Sequence, residues 1–273
     1  MLCGISTACF YPQDTRASLH HAIQAGAQVV EVFLNTISEL EDGYLAELAD
    51  IARAAGVRIV SVHPCSSAME GFFFASRYAA RMADGVALYR RFFEACVALG
   101  ADKLVFHGDH DFNIEQYPMA EYAAAFKELA AVGREYGVTL CHENVAYCRL
   151  SRAAQVRQLA PLLGTDAAFV LDTKQAWRKG ENLDEMVDAM LPAIKHVHIS
   201  DRREGTICIP PGEGNADFEG LVRRLWRGGY RGDFMVELYE DGYRDAAQLA
   251  AAMHFINSII ARVQGGQHGV EYT

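Results

Sequence analysis

Six residues carry the chemical signal of this chain: His63, His107, Glu143, Asp172, His198 and Glu237. Each stands at or just after the end of a short β-rich run, and their separations of 44, 36, 29, 26 and 39 residues put each in a different repeat. Imidazoles and carboxylates brought together are what a divalent cation needs. A carboxylate-rich shell with one His favours Mn²⁺, Mg²⁺, Co²⁺ or Zn²⁺ over a soft thiolate site. Taken singly, each residue has a plainer role: Asp172 as the N-cap of the next helix, Glu143 and Glu237 as solvated loop acids, His63 and His107 as hydrogen-bonded core or loop histidines. Their joint occurrence is what points to a site, since independent capping explains poorly why such groups recur at equivalent positions of successive repeats.

Those positions exist only if the runs are strands. The chain alternates β-rich runs with longer amphipathic stretches, the sequence form of repeated βα units, and eight runs are read: 3–7, 29–33, 58–62, 103–106, 139–142, 168–171, 196–199 and 234–236. Met119, Tyr122, Phe126, Leu129 and Gly133 step by three or four residues, as do Leu249, Met253, Ile256, Ile260 and Val263. Each set lines one face of a helix that packs on a sheet. Gly26, Gly56, Gly100, Gly137 and Gly229 fall just past a helical pattern and shortly before a strand, where a left-handed cap is wanted. The longest irregular stretch is 201–217, with Pro210, Pro211, Gly212 and Gly214. The fold expected is α/β: a (β/α)8 TIM barrel, a single domain over 1–273 with one long loop, its chemistry at the C-terminal strand ends. A doubly wound open sheet needs a Gly-rich phosphate fingerprint after the first strand, and Ala8-Cys9-Phe10-Tyr11-Pro12 is not one.

Composition narrows the partners. With 25 Lys and Arg against 35 Asp and Glu the net charge is −10, which disfavours a nucleic-acid ligand held by phosphate contacts. At 51% hydrophobic and 22% charged the chain is globular in type and carries no signature of disorder. Met1-Leu2-Cys3-Gly4 lacks the basic and apolar regions of a signal peptide. The charge-free stretch 246–261 is too short to span a bilayer. Seven cysteines with no C-x-x-C pair fit reduced thiols. A cytoplasmic chain without membrane contact is expected, acting on a small molecule and able to form a homo-oligomer through helix faces.

Other polar residues are read around the six. His142 precedes Glu143, so strand alternation turns it away, into the wall or the helix layer. His110, after Gly108-Asp109, is read as a solvated loop residue, with a substrate contact as the alternative. Lys174 and Gln175, straight after Asp172, are close enough to line the pocket, and Arg202 with Arg203 could grip a phosphate or carboxylate. Phe72, Phe73 and Phe74 are read as packing at a helix start.

The runs Cys141-His142-Glu143-Asn144, Val170-Leu171-Asp172-Thr173, His196-Val197-His198-Ile199-Ser200-Asp201, Pro211-Gly212-Glu213-Gly214-Asn215-Ala216-Asp217-Phe218 and Val236-Glu237-Leu238-Tyr239 resemble the xylose-isomerase-like TIM-barrel superfamily. That superfamily holds sugar and sugar-phosphate isomerases and epimerases, the endonuclease IV type of DNA-repair nuclease, and some dehydratases. The resemblance extends from Ile5 to about Ile259 and is strongest in the second half. It implies one divalent metal held by Glu143, Asp172, His198 and Glu237, with Glu143 and Glu237 also moving protons. A metal chelating the carbonyl and adjacent hydroxyl oxygens of a ketose acidifies the neighbouring C–H and stabilises an enediolate. One Glu then removes the proton and the other returns it.

The nuclease branch is similar at His63 and His107, which the resemblance makes candidates for a second metal or for substrate. Its third-metal positions carry Gln175, Thr206 and Cys208 here, so a trinuclear phosphodiester centre is not expected. The leading expectation is a metal-dependent isomerase or epimerase of a small sugar, polyol or sugar phosphate, with Lys174, Gln175 and Arg202 as substrate contacts. The alternatives are an endonuclease IV-like phosphodiesterase acting on abasic DNA and a dehydratase on the same scaffold.

Overall fold

The computed structural model describes residues 1–111 and 115–266 and has a strand at each of the eight expected places. In chain order these are β1 (Cys3–Ser6), β2 (Val29–Leu34), β3 (Arg58–Pro64), β4 (Lys103–Phe106), β5 (Thr139–Glu143), β6 (Phe169–Asp172) and β7 (Ile194–Ile199). A hairpin of β8 (Asp201–Arg203) and β9 (Thr206–Ile209) follows, and β10 (Phe234–Val236) completes the set. β1 to β7 pair in parallel with their neighbours in order, and β10 fits between β7 and β1 to close the barrel. Strand ends differ from the sequence reading by one or two residues, so that His63, Glu143 and Asp172 are themselves the last or next-to-last residues of their strands.

The outer layer consists of α1 (Thr15–Gln24), α2 (Asp42–Ala55), α3 (Ser67–Phe74), α4 (Ala79–Leu99), α5 (Met119–Glu135), α6 (Ala153–Leu163), α7 (Thr173–Lys179), α8 (Leu183–Met190), α9 (Phe218–Arg227) and α10 (Ala246–Gly265). Tyr122, Phe126, Leu129 and Gly133 of α5 are buried, as are Leu249, Met253, Ile256, Ile260 and Val263 of α10, so the period read from the sequence is the packing face. The five expected cap glycines all have positive φ. Gly100 shows why: at φ 74° it ends α4 in the left-handed region, and its N–H bonds back to the Cys96 and Val97 carbonyls. No helix among the described residues is long and apolar enough to cross a membrane. All seven cysteines are free thiols, and all but Cys65 are buried.

The main apolar core lies between strands and helices, and two small separate clusters fill the inside of the barrel: Val105, Cys141, Ala168 and Val170, and Val29, Val60 and Met235. This separation sets the site. Side chains alternate along a strand, so, except at Val60, where the β2–β3 register shifts, the residue two positions beyond an inward apolar group also points inward. From Val105, Cys141 and Val170 the same face reaches His107, Glu143 and Asp172; from Val29 and Met235 it reaches Glu31 and Glu237. His142 has the opposite parity and lies in the helix layer, its Nε2 2.6 Å from the Tyr122 hydroxyl and its ring stacked on Phe126.

One sequence expectation is corrected. The stretch 201–217 is not irregular throughout, because β8 and β9 pair across the two-residue turn Glu204-Gly205, with Gly205 at φ 72°. Behind the hairpin, the buried Asp201 carboxylate accepts N–H bonds from Arg202 (2.7 Å), Gly212 (3.0 Å), Gly214 (2.8 Å) and Ala216 (3.1 Å). A proline- and glycine-rich segment thereby gains a fixed base that periodicity alone does not reveal.

Candidate metal centre

Four strand ends bring Glu143, Asp172, His198 and Glu237 to the barrel axis, all of them buried, with one donor atom from each lying within 4.8 Å of the others. The Nδ1 of His198 stands 2.7 Å from Glu143 Oε1, 3.4 Å from Glu237 Oε2 and 3.9 Å from Asp172 Oδ2. Its Nε2 lies 3.1 Å from Glu31 Oε2. If Nε2–H donates to Glu31, the Nδ1 lone pair faces the three carboxylates, which is how metal-binding imidazoles are oriented by an outer carboxylate. Three carboxylates and one imidazole nitrogen suit a hard or borderline divalent ion. The donor set therefore fits the metal that the sequence reading expected.

His63 and His107 converge beside this set. Their Nε2 atoms are 2.7 Å apart, and His107 Nε2 is 3.5 Å from Glu143 Oε2. Each ring is backed by acids: His63 Nδ1 lies 3.4 Å from Glu31 and 3.3 Å from Glu237, and His107 Nδ1 lies 3.3 Å from Glu70. With Glu143 they form a second cluster able to hold an ion. All six sequence candidates are thus in one place.

Two acids behind them escape the sequence reading. Glu31 is fully buried and contacts Ser6 (3.0 Å), Ser61 (2.8 Å) and His196 (3.0 Å) besides His63 and His198. It does leave a signal, because a charged residue inside Val-Val-Glu-Val-Phe-Leu has no reason to be there unless it has partners. Glu70 in α3 accepts the N–H groups of His107 (2.8 Å) and Gly108 (2.6 Å) and the Tyr89 hydroxyl (2.7 Å). Nothing in its sequence neighbourhood distinguishes it. Gly108 turns the chain immediately after His107 at φ 84°, and a Cβ there would come within 2.2 Å of the Tyr122 hydroxyl. Asn144 is a further residue that spacing does not single out: its side chain bonds both the N–H (2.7 Å) and the carbonyl (2.9 Å) of Asp172, tying the ends of β5 and β6 together.

Burial opposes ionisation throughout the set, and the partners decide the outcome. For Glu143 burial is outweighed by His198 and His107, which hold it down at about 2. For Asp172 burial, with repulsion from Glu143 and Glu237, outweighs Lys174 and pushes the carboxyl up to about 7. Burial would lower His63, but hydrogen bonds to Glu237 and Glu31 raise it to about 10. So many acids in a dry volume are stable only with positive charge among them.

Asp172 serves two ends at once: its Oδ1 accepts from Gln175 N at 3.1 Å and caps α7, while Oδ2 faces the site. Asp172 thus caps α7 with one oxygen while the other stays among the candidate metal-ligating atoms. Lys174 runs inward, its Nζ contacting both Asp172 Oδ2 and Glu237 Oε2. Gln175 is buried and uses its Oε1 on the Ala146 N–H (3.2 Å). Arg202 is exposed, its guanidinium 4.9 Å over the Trp177 ring, and makes no contact with the four-residue set. At the third-metal positions Thr206 is exposed, and Cys208 is buried with its sulfur 3.4 Å from the Tyr239 N–H. His110 lies half-buried, its ring 5.6 Å from that of Tyr147. Phe73 and Phe74 pack inward as expected, whereas Phe72 is exposed under the Arg81 guanidinium.

The family model for xylose isomerase-like TIM barrels matches residues 19–259. An inosose dehydratase of Serratia proteamaculans is 24% identical over 164 residues, 52% of this chain and 54% of the dehydratase, so the chain spans about half the length of that relative. L-ribulose-5-phosphate 3-epimerase UlaE of Escherichia coli is 24% identical over 214 residues, covering 76% of this chain and 74% of the epimerase. Among solved structures, IOLI protein with a bound zinc atom superposes with a TM-score of 0.77 at 17% identity, over 96% of this chain and 99% of its own. At that identity the likeness is one of fold.

Proposed function

The chain belongs to the xylose isomerase-like TIM-barrel family, and on that premise we propose that it is a divalent-metal-dependent isomerase or epimerase of a small sugar, polyol or sugar phosphate. The observation that carries this reading is the convergence of Glu143, Asp172, His198 and Glu237 within 4.8 Å, with Glu31 behind the imidazole. When bound, a divalent ion supplies positive charge that stabilises the oxyanion developing as the C–H beside a carbonyl loses its proton. Glu143 ends β5 and Glu237 follows β10, with β6 and β7 between these strands, an arrangement that suits two carboxylates working on opposite faces of a substrate. One carboxylate removes the proton, the other returns it, and delivery to the opposite face inverts the centre. Asp172 and His198 would help hold the ion beside them. The likeness to UlaE supports an epimerase, and that to the inosose dehydratase supports a lyase that begins with the same proton removal.

A second reading rests on His63, His107 and Glu143, whose convergence suits a second ion and with it phosphodiester chemistry. The charge of −10 and the residues Gln175, Thr206 and Cys208 count against it. The deciding experiment incubates wild-type protein and Glu237→Gln with ketoses and ketose phosphates in D₂O with Mn²⁺, following deuterium at carbon and product mass. Deuterium uptake by wild type alone supports the proposal, and uptake with loss of water makes the enzyme a dehydratase. No uptake on any substrate, together with metal-dependent nicking of abasic DNA, would overturn it in favour of the second reading.

A further inference from the structure

We propose that the Lys174 ammonium is a tethered counter-ion that occupies part of the metal's own coordination space, and that it must release Asp172 and Glu237 before the ion is fully held. This rests on the metal-centre reading above and adds to it a residue that sets the affinity from within the chain.

The conflict lies at two oxygens. Lys174 Nζ contacts Asp172 Oδ2 and Glu237 Oε2, the same two atoms that face His198 Nδ1 at 3.9 and 3.4 Å. All four donor atoms fit within 4.8 Å, a volume sized for one small cation. An ammonium bonded to two of the four stands where a second cation would share its oxygens at close range. Like charges so placed repel strongly in a volume from which water is excluded. Lys174 is itself only 2% exposed, so water does not offer its ammonium a ready alternative partner.

The sequence makes this arrangement local. Lys174 follows Asp172 by two residues in the first turn of α7, so its reach to the centre is built into the helix start that Asp172 caps. A tethered group competes at a fixed effective concentration and so weakens the apparent affinity for a free cation. The Tyr239 ring borders the ammonium, its centroid 5.7 Å from Nζ, and is shared with the Arg178 guanidinium at 5.0 Å, so displacement carries Lys174 outward past a face that already holds a cation. A ring face accepts an ammonium without a hydrogen bond. In the absence of the ion, the lysine neutralises one of three crowded acids and keeps the apo site folded.

The test measures metal affinity directly. Mn²⁺ and Zn²⁺ are titrated calorimetrically into wild type, Lys174→Met and Lys174→Arg, with circular dichroism as a check on folding. Lys174→Met is expected to bind at least tenfold more tightly than wild type, while Lys174→Arg keeps the weak binding. Binding by Lys174→Met alone supports the proposal equally. Equal or weaker binding by Lys174→Met overturns the proposal and leaves the metal reading standing. No binding by any of the three overturns both. Should Lys174→Met not fold, wild type answers through reductive methylation of its lysines read by peptide mass spectrometry. Labelling of Lys174 is expected to rise when Mn²⁺ is added, and labelling unchanged by the ion would overturn the displacement.

Discussion

His198 and Glu31 face each other across 3.1 Å inside the barrel, the imidazole Nε2 against a carboxylate that no solvent reaches. With Nε2–H donating to Glu31, Nδ1 is the ring nitrogen left for the centre. Glu31→Gln keeps the volume but replaces one acceptor oxygen by a donor amide that faces other donors. The expected result is a 10- to 100-fold loss of Mn²⁺ or Zn²⁺ affinity by calorimetric titration, the usual cost of disturbing an outer carboxylate. Stability in urea should fall by about 1–3 kcal/mol for the unsatisfied buried groups. Unchanged affinity would mean that Glu31 does not orient His198.

The two roles of Asp172 separate by substitution. Asn is as good an N-cap as Asp, so Asp172→Asn should keep the bond to the Gln175 N–H while removing the charge from the centre. Metal binding is expected to weaken in both Asp172→Asn and Asp172→Ala. Only the alanine variant should lose a further ~1 kcal/mol of stability, the typical cost of a lost cap. Equal unfolding midpoints for the two would show that the cap contributes nothing.

Arg149 and Asp109 form a two-pronged ion pair at 2.6 Å on each arm, with both side chains fully buried. It joins the loop after β4 to the loop after β5, close to the turn that carries His107. Removing one partner strands a buried charge, so Asp109→Ala should destabilise by about 3–5 kcal/mol in urea unfolding. Adding Arg149→Met should recover much of that loss, and a double variant less stable than the single would show that the stranded charge is not the cause.

Burial also controls the thiols. It raises all seven thiols, Cys65 included, and only Cys65 is less than buried, so access sets it apart. Because the thiolate is the reactive form, Ellman's reagent at pH 8 should titrate Cys65 quickly and the other six only after denaturation. Cys65→Ser should abolish the fast phase, and several fast thiols in the native protein would rule out the packing described.

How much the amino-acid sequence reveals by itself follows from what repetition can carry. Strand ends recur once per βα unit, so His63, His107, Glu143, Asp172, His198 and Glu237 can be found by position, and the glycines that stop helices can be found the same way. Partners that meet across the barrel obey no such period. Glu31 and His198 are 167 residues apart in sequence, and Glu70 reaches His107 from a helix whose composition gives no hint of it. Spacing assigns Lys174 to the pocket because it follows Asp172. That its ammonium lies between Asp172 and Glu237 depends on the inward course of its side chain from the first turn of α7, which spacing does not encode. The hairpin in 201–217 is hidden for a different reason, since Asp201, at its base, is held by N–H groups of Gly212, Gly214 and Ala216 that lie beyond the residues that pair.

That aspartate makes the segment it anchors a cassette. With Arg202, Gly212, Gly214 and Ala216 all fastened to one carboxylate at the base, the turn at Glu204-Gly205 can be lengthened, shortened or exchanged without disturbing the strand that carries His198. Tolerance of change at the turn and rigidity at its base are thereby assigned to different stretches of chain, and substitutions confined to Glu204 and Gly205 should leave the strand that carries His198 as it is.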